Sequence, residues 1–97
     1  MKNAMENNTG GIPSKDQVIE TVIDIFVRVI GFIEREEVSR TTHTVKDFYI
    51  DGDDLSFFAE AVEKHFGIKP VIEEWSNFEP TIEAIADFVL QHLSKKQ

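Results

Sequence analysis

The chain has 97 residues, which makes one domain with a modest core, because a chain of this size buries only about 60–70% of the surface its unfolded state exposes. Hydrophobic residues make up 41% of it, with eight Phe, enough to pack a single core and too many for a disordered segment. The net charge of −8 repels phosphate backbones and disfavours nucleic-acid binding, and the absence of Cys excludes disulfides and thiolate metal sites.

Residues 1–12 are polar and rich in Gly and Asn, without a period, so residues 1–13 are expected to be a flexible tail before a helical domain over 14–97. Ser14 followed by Gln17 has the spacing of a capping box. A first helix is predicted next, its apolar residues Val18, Ile19, Val22, Ile23, Phe26, Val29, Ile30 and Ile33 falling at three- and four-residue steps. Ile25 and Val27 widen that stripe, so the helix is either deeply buried or shared with a partner. Glu20, Asp24 and Arg28 interrupt the apolar run, which argues against a membrane span. The start of the chain lacks the pattern of a secretory signal, and a cytoplasmic location is expected. Gly31 is read as weakening the last turn.

A long connection follows, polar and β-branched over 39–43, with Val45 and Phe48 as apolar anchors. In Asp51-Gly52-Asp53-Asp54, either Asp51 or Asp53 can cap a second helix, and acidic residues suit its positive end. Leu55, Phe58, Ala59, Val62 and Phe66 form the stripe of that helix, and Gly67 is expected to end it in the left-handed conformation. The stretch from Glu73 to Phe78 allows a turn or two of helix, with Trp75 and Phe78 inward. Pro80 suits the first position of a last helix, whose stripe is Ile82, Ile85, Ala86, Val89 and Leu93. No strand alternation is visible. The expected fold is all-α, with three main helices, one short helix and a long loop between the first two.

At this point the chain resembles the acyl carrier proteins, whose typical run is Glu-Glu-Val, Val-Glu-Asp-Leu, Gly-x-Asp-Ser-Leu and Phe-Gly-Ile. Glu36-Glu37-Val38, Val45-Lys46-Asp47-Phe48, Tyr49-Ile50-Asp51-Gly52-Asp53 and Phe66-Gly67-Ile68 match these without a gap. With one-residue insertions the similarity reaches both outer helices and covers most of 15–93. It looks like one of a group of small bacterial carrier-like proteins of unknown function whose turn also reads Ile-Asp-Gly-Asp-Asp. The resemblance implies a helical bundle that docks on enzymes through its second helix. In this register the serine that bears phosphopantetheine in the family is Gly52, which has no side chain to modify. A two-residue gap would place Asp54 there instead, at the expense of the core pattern. Ser56, one turn further on, is the nearest hydroxyl.

The reading is therefore a non-catalytic, carrier-like protein-binding module without a prosthetic group, in lipid or polyketide metabolism. Its partner-facing residues are Asp51, Asp53, Asp54, Phe57, Glu60 and Glu63, offered to a protein with a basic or mixed surface. The alternatives are a working carrier whose 4'-phosphopantetheine sits on Ser56, or a small helical regulator or antitoxin that pairs through its first helix. The aspartates lack the spacing of a calcium loop, and His43, His65 and His92 lie too far apart for a zinc site, each reading as a surface or loop histidine. No nucleophile is paired with a base, so no catalytic residue is expected.

Overall fold

Four α-helices and one 3-10 turn account for the regular structure in a computed structural model that describes residues 12–96. Residues 1–11 and 97 lie outside the described residues, and with them nearly all of the expected tail. The helices are α1 (Lys15–Ile30), α2 (Gly52–Phe66), α3 (Ile72–Trp75) and α4 (Ile82–Lys96), with the 3-10 turn at Arg35–Glu37. The all-α expectation holds: three main helices, one short one, and a long loop between the first two.

α1 is the central element. It packs against both α2 and α4, so two of its faces are covered and a single stripe would not suffice. Ile25 is buried and Val27 packs half-buried on the core, so the extra apolar width of α1 is used inside its own fold. Its start is the capping box, with Ser14 Oγ accepting from Gln17 N at 3.2 Å and Gln17 Oε1 accepting from Ser14 N at 2.9 Å. Its end differs from the sequence-based expectation. The helix stops at Ile30, and Gly31 is its left-handed cap at φ 89°, with its N–H donating to Val27 O. Gly31 thus terminates α1 because only a residue without Cβ takes that conformation freely. Ile33 is still buried, but as an anchor of the following loop.

The long loop carries much of the remaining core. Ile33, Val38 and Ile50 are buried, and Thr44 is completely so. Thr44 donates twice to Pro80 O, from its backbone N at 3.0 Å and from Oγ1 at 2.7 Å. The loop carbonyls of Thr42 and Arg40 in turn accept from Ile82 N and Glu83 N, both at 2.9 Å. These are first-turn amides of α4, which no intrahelical carbonyl can satisfy, so the loop acts as part of the cap of the last helix. Thr81 Oγ1 completes it by accepting from Ala84 N. Pro80 therefore lies before the cap and not at the first helical position as expected, because its carbonyl is needed by Thr44. The core also includes Phe88, outside the expected stripe of α4, stacked with Trp75 and Phe78 at ring-centre distances of 4.7 and 5.0 Å.

Charged residues tie the elements together at the surface. Lys15 reaches Glu83 at 2.8 Å and Asp87 at 3.3 Å, Arg40 reaches Glu83 at 3.0 Å, and Arg35 clasps Glu20 and Asp24 of α1. His43 and His92 are mostly covered, and each is hydrogen-bonded to a glutamate: Nε2 to Glu79 at 2.9 Å and to Glu74 at 3.0 Å. His92, covered on the last helix, departs from the surface-or-loop reading, whereas His43 lies in the long loop and His65 is exposed. The His43 ring accepts from Val45 N and Lys46 N through Nδ1, which fixes the tautomer that donates from Nε2.

Three carboxyls are held below their ordinary value of 4.5. The causes are the Lys15 and then Arg40 hydrogen bonds at Glu83, the His43 hydrogen bond at Glu79, and the Val71 backbone amide at Glu74. A carboxyl depressed by folding adds stability above its unfolded pKa and loses it as pH falls through the folded one. Lys15, raised above 10.5 chiefly by Glu83, adds stability below that value and loses it as pH rises further. Denaturant midpoints are therefore expected to be flat from neutral pH to about 9 and to fall below pH 4.5. Salt should weaken the Glu83 contribution, because Lys15 and Arg40 are partly exposed and their charges are screened.

Candidate functional site

The start of α2 is built by one short turn. Ile50 is buried and donates its N–H to Val45 O at 3.2 Å, which closes the loop. Tyr49, just before it, takes φ 55° with its side chain 92% exposed. That left-handed conformation costs an L-residue roughly 1–2 kcal/mol, and nothing packs on the ring to offset it. Tyr49→Gly is expected to stabilise the fold by about 0.5–1 kcal/mol, net of the extra freedom of glycine in the unfolded chain. The check is a higher urea midpoint at unchanged m-value.

Of the two candidate caps, Asp51 is the one used. Its Oδ1 accepts from Asp54 N at 2.9 Å, and α2 begins at Gly52. A Cβ built on Gly52 would meet nothing within 4 Å, so this first helical residue faces open space. Ser56 is also exposed, one turn along α2, about 6 Å up the axis. Its hydroxyl has no hydrogen-bond partner among the described residues. Beneath the turn, Phe58 and Val62 enter the core, and Phe58 meets Phe26 edge-on at 5.1 Å. Gly67 ends the helix at φ 67°, as expected.

The six residues expected to face a partner divide into two groups. Asp53, Phe57 and Glu60 stand exposed along the outer face of α2, and Asp51 is exposed while serving as the cap. Asp54 and Glu63 are half-buried, and Glu63 Oε2 accepts the indole N–H of Trp75 at 2.7 Å. This bond fastens α3 to α2. The structure adds two residues to the face: Val71, 60% exposed, and Ile72, 77% exposed, at the start of α3. They follow Pro70 directly, and adjacent apolar residues at the start of a four-residue helix were the available signal.

Between α2 and α3 lies a cleft of about 590 Å³. Leu55, Phe58, Pro70, Trp75 and Ile85 form apolar walls, with Phe57 and Ile72 at the exposed edges. The charged residues on its lining are Glu60 and Glu63.

No protein-family model matches the chain. It is 35% identical over 66 residues to the acyl carrier protein AcpXL of Rhizobium meliloti (strain 1021), a match spanning 66% of this chain and 70% of that one. The chain belongs to the acyl carrier protein family. Its helix order and its long first loop agree with that membership. In this chain α2 opens on Gly52, a residue without a hydroxyl. No helix among the described residues is long and apolar enough to cross a membrane.

Proposed function

We propose that the protein is a carrier-like binding module that works without a phosphopantetheine arm and is not itself an enzyme. The observation that carries the reading is the start of α2. Asp51 caps the helix and Gly52 is its first residue, the arrangement in which the ungapped register puts glycine at the place of the modified serine. The gapped register would need Asp53 to be the cap, and it lies within the helix. In neither register does the family's attachment position hold a hydroxyl. Neither Gly52 nor Asp54 offers the hydroxyl that the group would need at this turn.

What remains of carrier behaviour is docking. Asp51, Asp53, Asp54, Phe57, Glu60 and Glu63 are the residues assigned to it, facing a protein whose surface is basic or mixed. The chain would serve as scaffold or regulator of lipid or polyketide enzymes in the cytoplasm, alongside small bacterial carrier-like proteins with the same Ile-Asp-Gly-Asp-Asp turn. The regulator reading has lost its motive, since Ile25 and Val27 are used in the chain's own core.

The test is intact mass after incubation with a phosphopantetheinyl transferase and coenzyme A. No change is expected. A gain of one arm, lost in Ser56→Ala, would instead make this a working carrier modified at an unusual position.

A further inference from the structure

We propose that the His43 ring is a pH-sensitive latch on the turn that leads into α2: neutral, it holds residues 45–49 closed, and protonated, it releases them. Both nitrogens of the neutral ring are committed. Nδ1 accepts from Val45 N at 3.2 Å and from Lys46 N at 3.1 Å, while Nε2 donates to Glu79 Oε1 at 2.9 Å. A charged imidazole is a donor at both nitrogens. Its new Nδ1–H would point at two backbone N–H groups, so both of those bonds are lost and the ring has to turn away. The side chain is only 14% exposed, so turning away means leaving a packed position.

The charges around the ring set how the balance runs. Glu79, from the segment before α4, is held below its ordinary value chiefly by the His43 hydrogen bond, and as a carboxylate it attracts a charged ring. Its side chain is 73% exposed and also meets Lys46 Nζ at 3.6 Å, so solvent and a competing cation weaken that attraction. Within the turn itself, Asp47 Oδ2 is occupied by His43 N at 2.8 Å. Thr81, whose backbone is bridged to His43, is neutral, and among the described residues no charged group of α1, α2 or α4 bonds to the ring. Tyr49, at the far end of the same turn, has φ 55°, so the closed form holds backbone strain that opening relieves. Thr44, bonded twice to Pro80 O, and Phe48, packed against Phe26, keep the loop on the core. Opening is therefore local, and the bond it breaks besides those to the ring is Ile50 N to Val45 O, just before the Asp51 cap.

His92 responds differently. Its Nε2 also meets a glutamate, Glu74, but Nδ1 makes no hydrogen bond among the described residues, so a second proton breaks nothing there.

Histidine is the side chain whose charge changes between about pH 5 and 8. NMR of the full-length protein over that range gives amide protection factors, corrected for the intrinsic pH dependence of exchange, together with the ring-proton shifts of each histidine. Protection at Val45 and Ile50 is expected to fall about tenfold at the acid end, roughly one net hydrogen bond each, while amides in the middle of α1 keep theirs. The His43 ring shift should move with the same midpoint. His43→Asn puts an oxygen that does not titrate in the place of Nδ1 and should hold the turn closed throughout, whereas His43→Ala should leave it open throughout. Unchanged protection at Val45 and Ile50 in the parent chain would overturn the proposal. So would a loss that persists in His43→Asn, a midpoint that differs from that of the His43 ring, or an equal loss across α1, which would be global unfolding by acid.

Discussion

A Phe26→Ala variant is expected to lose about 3–5 kcal/mol of folding stability, the range for removing a fully buried aromatic ring. Phe26 has no exposed surface and sits where α1 meets the long loop and α2, with Phe48 at 6.1 Å and Phe58 at 5.1 Å between ring centres. Neither neighbour can move in to fill the gap without unpacking its own element. Domains of this size are stable by about 5–15 kcal/mol in all, so roughly a fifth or more of the total would go. The melting temperature should drop by roughly 12–40 °C, at about 4–8 °C per kcal/mol for a chain this short. Phe57, one residue from Phe58 but 60% exposed, is the control. Its replacement by Ala should stay within about 0.5 kcal/mol. Thermal and urea unfolding of both variants measures the contrast. Similar losses from the two would mean that Phe57 is packed and that the outer face of α2 has been misplaced.

The residues that announced themselves are those whose role is local. Ser14 and Gln17 cap α1 through groups three residues apart, and Gly67 ends α2 because of its own backbone freedom, so both are visible in a short window. The stripe of α1 was legible for the same reason. What stayed hidden depends on groups far apart in the chain. Thr44 looks like a loop residue, and its complete burial follows from Pro80 O, which lies 36 residues away. Once that carbonyl is claimed, Pro80 cannot also be the first residue of α4. Gly31 was seen but misjudged. A buried Ile33 two residues later suggested that the helix went on, whereas the loop itself buries that side chain. Phe88 fell off the stripe of α4 because its partners, Trp75 and Phe78, come from the short α3 region and approach a different side of the helix.

The candidate site divides in the same way. The acidic turn was readable from spacing, and the outer residues of α2 from the carrier resemblance; Asp53, Phe57 and Glu60 are exposed there. The cleft was not, because it exists only where α3 stands beside α2, and that placement depends on the Glu63–Trp75 bond across twelve residues. Glu63, expected at the partner face, also holds α3 in place through one of its carboxylate oxygens. That bond also makes the cleft and the acidic face a single object, since moving α3 would alter both the walls and the charge beside them.

Gly52→Ser is the substitution with the largest expected functional effect, because it supplies the one atom that a carrier turn needs. A side chain at position 52 meets nothing within 4 Å, and serine at a first helical position is unstrained, so the fold should be retained. Stability should rise by up to about 0.5 kcal/mol, because serine loses less freedom than glycine on entering a helix. In the transferase assay the expected result is a shift of intact mass by one phosphopantetheine arm, where the parent chain shows none. Asp54→Ser is the companion variant, since position 54 is where a gapped register would put the hydroxyl. Asp54 lies on the third residue of α2 and is half-buried, whereas Gly52 opens the helix beside its Asp51 cap and faces solvent. Modification of the first variant and not the second would establish that the turn keeps the carrier's geometry and lacks only its hydroxyl. The reverse result would move the attachment point by two residues. If neither is modified, the outer face of α2, with Phe57 exposed beside Glu60, is what turns the transferase away. The chain would then have diverged in its docking surface as well as in its chemistry.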